Sequence, residues 1–216
     1  MLEIETPHGP ARAYLHAVDE PCGALVLGHG AGGGVQAPDL VAATQAANED
    51  GITVALVEQP YRVAGRRSPA PAKQLDAAWI AVVTHLRANQ LANVPLVVGG
   101  RSLGARVACR TVDETGAVAV LCLAFPLEPP QRAGKPRQSR LAELDAVTVP
   151  VLVVQGERDP FGMPPPGSTR QVAKVAGDHG LKADVNAVAA AVREWLPGVV
   201  GAQQQGATSA RSLSAI

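Results

Sequence analysis

The sequence predicts an α/β fold with a mainly parallel central sheet and helices on both faces. Two observations support this fold class. Apolar runs recur along the chain and alternate with helix-like segments, which is the pattern of strands joined by helical crossovers. Several of the runs are unbroken stretches of Val and Leu, which are typical of parallel strands buried on both faces. The chain has 216 residues, a length that suits one domain with a substantial core.

Seven apolar segments are candidate strands. Their short length and their Val and Leu content favour strands over helices. In chain order the candidate strands are residues 11–18, 24–27, 52–57, 96–98, 118–124, 151–154 and 171–175.

Five intervening segments are candidate helices: residues 40–49, 72–89, 105–113, 140–145 and 182–195. The second and the last show the clearest helical spacing of apolar residues. In the second these are Leu75, Trp79, Val82, Val83 and Leu86; in the last they are Val185, Val188, Ala189, Val192 and Leu196. We therefore expect one domain over residues 1–196. Residues 197–216 have no apolar period and one charge, so we expect a disordered tail there.

Composition excludes several classes of function. The 19 basic and 19 acidic residues balance, so the whole molecule has no electrostatic attraction to nucleic acid or to a membrane surface. No apolar run is long enough to span a bilayer, and the first ten residues are polar and mixed, so we expect a cytoplasmic protein. Cys22, Cys109 and Cys122 lack the spacing of metal ligands, and no metal site is predicted.

The most informative motif is G-x-S-x-G at residues 100–104, with Ser102 at its centre. It lies between an apolar run and a helix-like segment, which is the strand–turn–helix context of a nucleophilic serine. The amides of the following helix favour negative charge near that serine. Ser102 is therefore the candidate nucleophile.

A serine needs a base, and that base needs a group that orients it. In an open parallel sheet the ligand site lies beyond the carboxyl ends of the strands. Asp159 follows the run 151–154, and His179 follows the run 171–175. The order Ser, Asp, His along the chain predicts Asp159 as the acid and His179 as the base.

A glycine-rich loop, residues 28–34, follows the run 24–27. Glycines allow main-chain amides to approach a ligand closely. An oxyanion hole needs an amide from such a loop and the amide that follows the nucleophile. We assign these donors to the N–H groups of Ala31 and Leu103.

Six segments together carry a resemblance to a known family: Gly28 to Gly32, Tyr61 to Arg67, Gly100 to Gly104, Gly134 to Pro136, Gly156 to Gly162 and Gly177 to His179. Over roughly residues 10–196 the chain resembles the α/β-hydrolase superfamily. It is most similar to a small branch without a cap domain that includes dienelactone-hydrolase-like and testis-expressed hydrolase-like proteins. The resemblance implies Ser102 as nucleophile, Asp159 as acid and His179 as base. The short segment between Pro126 and Ser139 fits the expected absence of a cap.

Other residues could take these roles. His29 is the rival base, but its place in the glycine-rich loop favours a bracing role through hydrogen bonds. Asp178 and Glu157 are the rival acids. Asp159 is preferred because sequence neighbours such as Asp178 and His179 seldom orient one another well, and because Asp159 precedes a proline in a turn.

Basic residues cluster in two loops expected at the rim of the site and beside the serine: Arg62, Arg66, Arg67, Lys73, Arg101, Arg132, Lys135, Arg137 and Arg140. Arginine recognises carboxylate and phosphate groups. The hypothesis is that Arg66, Arg67 and Arg101 bind an anionic substrate; the alternative is ordinary solvated loop charge.

The sequence thus predicts a serine hydrolase that acts on a small-molecule ester or thioester, with an amide as a further candidate, and that needs no cofactor. The alternative is a binding or scaffold protein that has the hydrolase fold but little turnover. Perhydrolase or acyl-transfer chemistry at the same serine is a third reading. The oligomeric state, the acyl group and the leaving group are not predicted.

Overall fold

A computed structural model of the chain describes residues 1–129 and 138–213, with the side chains described up to residue 203. Its centre is an eight-stranded sheet with the order β1-β2-β4-β3-β5-β6-β7-β8. The strands are β1 (Leu2–Ile4), β2 (Ala11–His16), β3 (Gly23–Gly28), β4 (Ile52–Glu58), β5 (Leu96–Arg101), β6 (Ala119–Leu123), β7 (Val151–Gly156) and β8 (Arg170–Val175). Strands β3 to β8 are parallel, whereas β1 and β2 add an antiparallel edge. The predicted mainly parallel sheet is confirmed.

Helices cover both faces of the sheet, as predicted. They are α1 (Pro38–Glu49), α2 (Pro60–Val63), α3 (Ala72–Ala88), α4 (Leu103–Arg110), α5 (Val112–Thr115), α6 (Leu141–Asp145) and α7 (Val185–Leu213). On one face α3, α4 and α6 pack through side chains such as Trp79 and Leu144. On the other face α1 and α7 pack through side chains such as Leu40 and Val192. Successive residues of the central strands enter opposite cores, which explains their unbroken apolar runs.

The predicted elements differ from the observed ones in three places. No pattern in the sequence indicated β1, which has three residues, or α2, which has four. The predicted helix 105–113 is divided into α4 and α5 at Thr111. These segments are too short to show a periodic pattern.

The end of the last helix also differs from the expectation. The sequence predicted disorder from residue 197, but α7 continues through Pro197 to Leu213. Val200 is buried against the core, and a Cβ added at Gly23 would lie 2.8 Å from its Cγ1. The predicted boundary at residue 196 thus lies inside α7, and Val200 is buried beyond it.

The topology determines where a ligand can approach. From β3 the chain crosses to β4 on one side of the sheet and then to β5 on the other side of β3. Such a change of direction opens a crevice at the carboxyl ends of the strands. The segment between β6 and α6 is short, as expected for a fold without a cap domain. In the described part of the chain, no helix has the length and apolar character that crossing a bilayer requires.

Candidate active site

Ser102 occupies a one-residue turn between β5 and α4. Its backbone angles are φ 51° and ψ −104°, a strained conformation for a residue with a side chain. Strain of this kind costs about 1–3 kcal/mol and persists only where the surroundings enforce it. The turn holds the serine at the carboxyl edge of the sheet.

The two glycines of the motif are required by close packing against β3. A Cβ at Gly100 would lie 2.4 Å from the carbonyl oxygen of Gly28, and a Cβ at Gly104 would lie 2.3 Å from the same atom. Any larger residue at either position would force β3 and α4 apart. The spacing of the motif therefore reflects this contact.

The three residues predicted for the site lie in one hydrogen-bonded line. The imidazole Nε2 of His179 is 2.9 Å from the Oγ of Ser102, and its Nδ1 is 2.8 Å from the Oδ2 of Asp159. An ionised carboxylate only accepts hydrogen bonds, so Nδ1 donates to Asp159 and Nε2 is free to accept the serine proton. The structure thus brings the three side chains together with the histidine between the serine and the aspartate, as in a Ser-His-Asp triad.

The carboxylate of Asp159 is held from two further sides. Its side chain is 1% exposed. The Phe161 amide donates to Oδ1 at 2.8 Å, and the side-chain Nε2 of Gln155 donates to Oδ2 at 2.8 Å. The Phe161 ring also packs on the imidazole of His179, with 4.3 Å between ring centroids.

Gln155 was not among the predicted site residues. It is the penultimate residue of the buried strand β7 and is itself fully buried. Its Nε2 lies 3.0 Å from the Phe125 carbonyl oxygen and 2.8 Å from each of the Asp159 Oδ2 and the Gly162 carbonyl oxygen. A signal was present in the sequence: a polar side chain inside a strand buried on both faces must find hydrogen-bond partners.

The rival base, His29, has a bracing role, as the sequence indicated. It is 2% exposed. Its Nδ1 donates to the Gly30 carbonyl oxygen at 2.8 Å, and its Nε2 accepts from the Gln59 amide at 3.1 Å. Burial lowers the pKa of His29, so the ring stays neutral with both nitrogens engaged. It has no free nitrogen with which to activate a serine.

The rival acids are also excluded by position. The Asp178 carboxylate accepts from the Gly180 amide and forms a local turn. The Glu157 side chain is exposed. Within the residues that the structure describes, no three His, Cys, Asp or Glu side chains gather in a way that could hold a metal ion.

Of the two residues assigned to the oxyanion hole, Leu103 follows Ser102 directly and Ala31 lies in the glycine-rich loop. Leu103 is the first residue of α4, so its amide has no acceptor within the helix. Ala31 lies in the glycine-rich loop, and the Tyr61 hydroxyl donates to its carbonyl oxygen at 3.3 Å. A Cβ at Gly30 would lie 3.6 Å from the Cβ of Ser102, so this loop borders Ser102. The oxyanion role of the two amides stays a prediction.

Arg101, one of the three residues predicted to bind an anionic substrate, contacts other groups of the protein. Its Nε is 3.1 Å from the buried Oδ2 of Asp39, and its Nη2 donates to the His179 carbonyl oxygen at 2.9 Å. The guanidinium is thus engaged inside the protein. The sequence could not show this, because Asp39 lies in α1, far from Arg101 along the chain.

The other basic residues predicted at the rim differ in their exposure to solvent. Arg66 and Arg67 are exposed in the loop after α2. The Nη1 of Arg140 donates to the Pro126 carbonyl oxygen, and burial lowers the pKa of Arg140. Arg132, Lys135 and Arg137 lie outside the described residues. Of the three residues named in the anion hypothesis, Arg66 and Arg67 are the exposed ones.

The sequence profile of a family described as "Alpha/beta hydrolase domain" matches residues 21–190. The chain belongs to this family. The match includes the glycine-rich loop, Ser102, Asp159 and His179, and it confirms the resemblance inferred from the motifs. No sequence among the curated proteins matches this α/β-hydrolase domain significantly.

Solved structures show the same fold. Est1E from Butyrivibrio proteoclasticus, in a structure with ferulic acid bound, has a TM-score of 0.74 at 17% identity, with 93% of this chain and 100% of that chain covered. XC6422 from Xanthomonas campestris, described as an α/β serine hydrolase without a lid, has a TM-score of 0.68 at 19% identity, with 91% and 94% covered. A dienelactone hydrolase from Anabaena variabilis has a TM-score of 0.70 at 15% identity, with 90% and 94% covered. At these identities the similarity concerns the fold.

Proposed function

We propose that this α/β-hydrolase domain is a serine hydrolase that cleaves small-molecule esters or thioesters through an acyl-enzyme. The observation that carries the proposal is the unbroken hydrogen-bond line from Asp159 through His179 to Ser102. A chain of this kind is what a hydroxyl needs to become a nucleophile near neutral pH.

Each step has an assigned group. The Nε2 of His179 takes the Ser102 proton as Oγ attacks the substrate carbonyl, and the amides of Ala31 and Leu103 stabilise the oxyanion. The imidazolium then donates that proton to the leaving alcohol or thiol as the carbon–heteroatom bond breaks. Water, deprotonated by the same nitrogen, hydrolyses the acyl-enzyme and restores the serine. Asp159 keeps the imidazole in the required tautomer and stabilises its charged form.

Esters and thioesters are preferred over amides as substrates. Their leaving groups depart more easily, and a site without a cap excludes water poorly. The names of Est1E and the dienelactone hydrolase are consistent with an ester substrate. A preference for substrates with a negatively charged group is also proposed, and it would require Arg66 and Arg67 to bind that group.

The test uses a fluorophosphonate probe, which bonds covalently to an activated serine. Wild type is expected to be labelled and to hydrolyse short-chain p-nitrophenyl esters or thioesters. Ser102→Ala is expected to lose labelling and about 10³-fold or more in turnover. The matched control is Ser68→Ala, at an exposed position in the loop after α2, which is expected to behave as wild type.

Two results would contradict the proposal. Labelling of Ser102→Ala equal to that of wild type would assign the reaction to another residue. Absence of labelling in folded wild type would favour the alternative of a hydrolase-fold binding or scaffold protein.

A further inference from the structure

The guanidinium of Arg101 contacts three segments that converge behind the nucleophile. Its Nε faces Asp39 in the first turn of α1, and its Nη2 donates to the main-chain carbonyl of His179. Its Nη1 borders the glycine-rich loop, because a Cβ at Gly30 would lie 2.8 Å from it. The Arg101 side chain therefore links the loop that contains His179 to the glycine-rich loop that contains the predicted oxyanion hole.

The Asp39 end of this contact is an internal anchor. The Asp39 side chain is fully buried, while that of Arg101 is 17% exposed. The Leu40 amide donates to Asp39 Oδ1 at 3.0 Å, and the start of α1 favours a negative charge there. Burial raises the pKa of Asp39, and the Arg101 charge opposes that rise. A buried carboxylate of this kind needs its cation, so the guanidinium has little freedom to move.

The His179 end lies at the residue whose position matters most. His179 is in a loop after β8, and its imidazole must reach Ser102 and Asp159 at once. The hydrogen bonds of Nδ1 and Nε2 fix the orientation of the ring. The bond from Arg101 to the His179 carbonyl fixes the backbone from which the ring projects.

We propose that Arg101, anchored by Asp39, is a positioning residue that holds the His179 backbone so that its imidazole bridges Ser102 and Asp159. This inference rests on the proposed function for its activity readout, but its structural readout does not. It reassigns Arg101 from substrate binding to support of the base. A misplacement of about 1 Å in such a group costs about 100-fold in rate.

Two substitutions separate positioning from stability. Arg101→Lys keeps a cation beside Asp39 but lacks the planar fork that reaches two acceptors at once. Arg101→Met removes both contacts and leaves Asp39 buried without a cation. The matched control is Arg12→Lys on β2, where an exposed arginine faces Glu3 at the far edge of the sheet.

The activity readout is the separate measurement of kcat and KM on a short-chain ester, together with the midpoint of thermal unfolding. We expect kcat to fall about 10-fold in Arg101→Lys and about 100-fold in Arg101→Met, with KM within about twofold of wild type. Arg101→Lys and Arg12→Lys are expected to unfold close to the wild-type midpoint. A wild-type kcat in Arg101→Lys, or a loss that only follows a lowered midpoint, overturns the inference.

The second readout needs no turnover. The proton between His179 Nδ1 and Asp159 is expected to give a far-downfield NMR resonance, which Asp159→Asn abolishes and so assigns. In Arg101→Lys this resonance is expected to broaden or disappear, while Arg12→Lys retains it. An unchanged resonance in Arg101→Lys overturns the inference. If wild type is not labelled by the fluorophosphonate, the proposed function fails, and this resonance still decides the role of Arg101.

Discussion

At the scale of single residues, the site depends on hydrogen bonds between Ser102, His179 and Asp159 and the groups around them. His179 presents one nitrogen to each neighbour, and Asp159 accepts from the ring, from Phe161 and from Gln155. The Gln155 Nε2 faces three oxygen acceptors, those of Phe125, Asp159 and Gly162. Because an amide nitrogen donates and an amide oxygen accepts, these acceptors fix the orientation of the Gln155 amide. The tautomer of His179 therefore follows from contacts that begin in the core of β7.

Gln155→Leu tests that dependence. The substitution keeps the volume of the side chain but removes the donor to Asp159, so the carboxylate gains freedom to turn away from His179. We expect kcat on a short-chain ester to fall about 10- to 100-fold with little change in KM. Gln171→Leu, at an exposed position of β8, is the matched control. Equal kcat values in wild type and Gln155→Leu would show that Asp159 is held without Gln155.

His29 provides a pH-dependent prediction. Because burial lowers the pKa of His29, the unfolded chain takes up its proton at a higher pH than the folded chain does. The stabilisation by neutral His29 is therefore complete above the ordinary histidine pKa of about 6.5 and is lost as the pH falls toward the folded value.

The measurement compares wild type with His29→Asn, which cannot titrate. The excess free energy of unfolding of wild type, from urea titrations at several pH values, is expected to shrink as the pH falls below about 6.5. His85→Asn, at an exposed position of α3, controls for the loss of a histidine. A difference between wild type and His29→Asn that stays constant with pH would contradict a buried neutral ring.

At the scale of elements, the positions of the strands in the sequence predict the site residues better than the positions of the helices do. Ser102, Asp159 and His179 could be predicted because each follows a strand at the same edge of the sheet. The Arg101–Asp39 pair could not be predicted. An aspartate at the start of a helix looks the same in the sequence whether it caps the helix at the surface or pairs with a buried cation. The predicted end of the last helix was also wrong, because Val199 and Val200 pack against the core beyond it in a segment of otherwise small and polar residues.

Truncation of α7 tests where the stable fold ends. A chain ending at Gln203 keeps every described core contact of α7, and its free energy of unfolding is expected to match that of the full chain. A chain ending at Leu196 loses the burial of Val200 and is expected to be less stable by about 1.5–3 kcal/mol. Denaturant unfolding of the two truncated chains measures the difference. Equal stability of the chain ending at Leu196 would return the boundary to residue 196.

At the scale of the whole molecule, the absence of net charge means that any attraction of a charged substrate must come from local clusters of charge. With 19 basic and 19 acidic residues, the protein has no net charge to steer a charged substrate from a distance. Arg101 and Arg140 donate to main-chain carbonyl oxygens within the protein, whereas Arg66, Arg67 and Lys73 of the predicted rim are exposed. A preference for anionic substrates would therefore depend on a small and identifiable surface.

The double substitution Arg66→Ser and Arg67→Ser tests that preference with two esters of equal size, one neutral and one carrying a carboxylate. If these arginines attract the anion, kcat/KM for the charged ester is expected to fall several-fold in the variant, while the neutral ester is unaffected. In wild type the same advantage should weaken as ionic strength rises, because exposed charges are screened within about 10 Å at 0.1 M salt. Arg12→Ser, at the far edge of the sheet, controls for the loss of surface charge. If both esters react equally in wild type at every salt concentration, Arg66 and Arg67 are solvated loop residues, and recognition of the substrate is confined to its acyl and leaving groups.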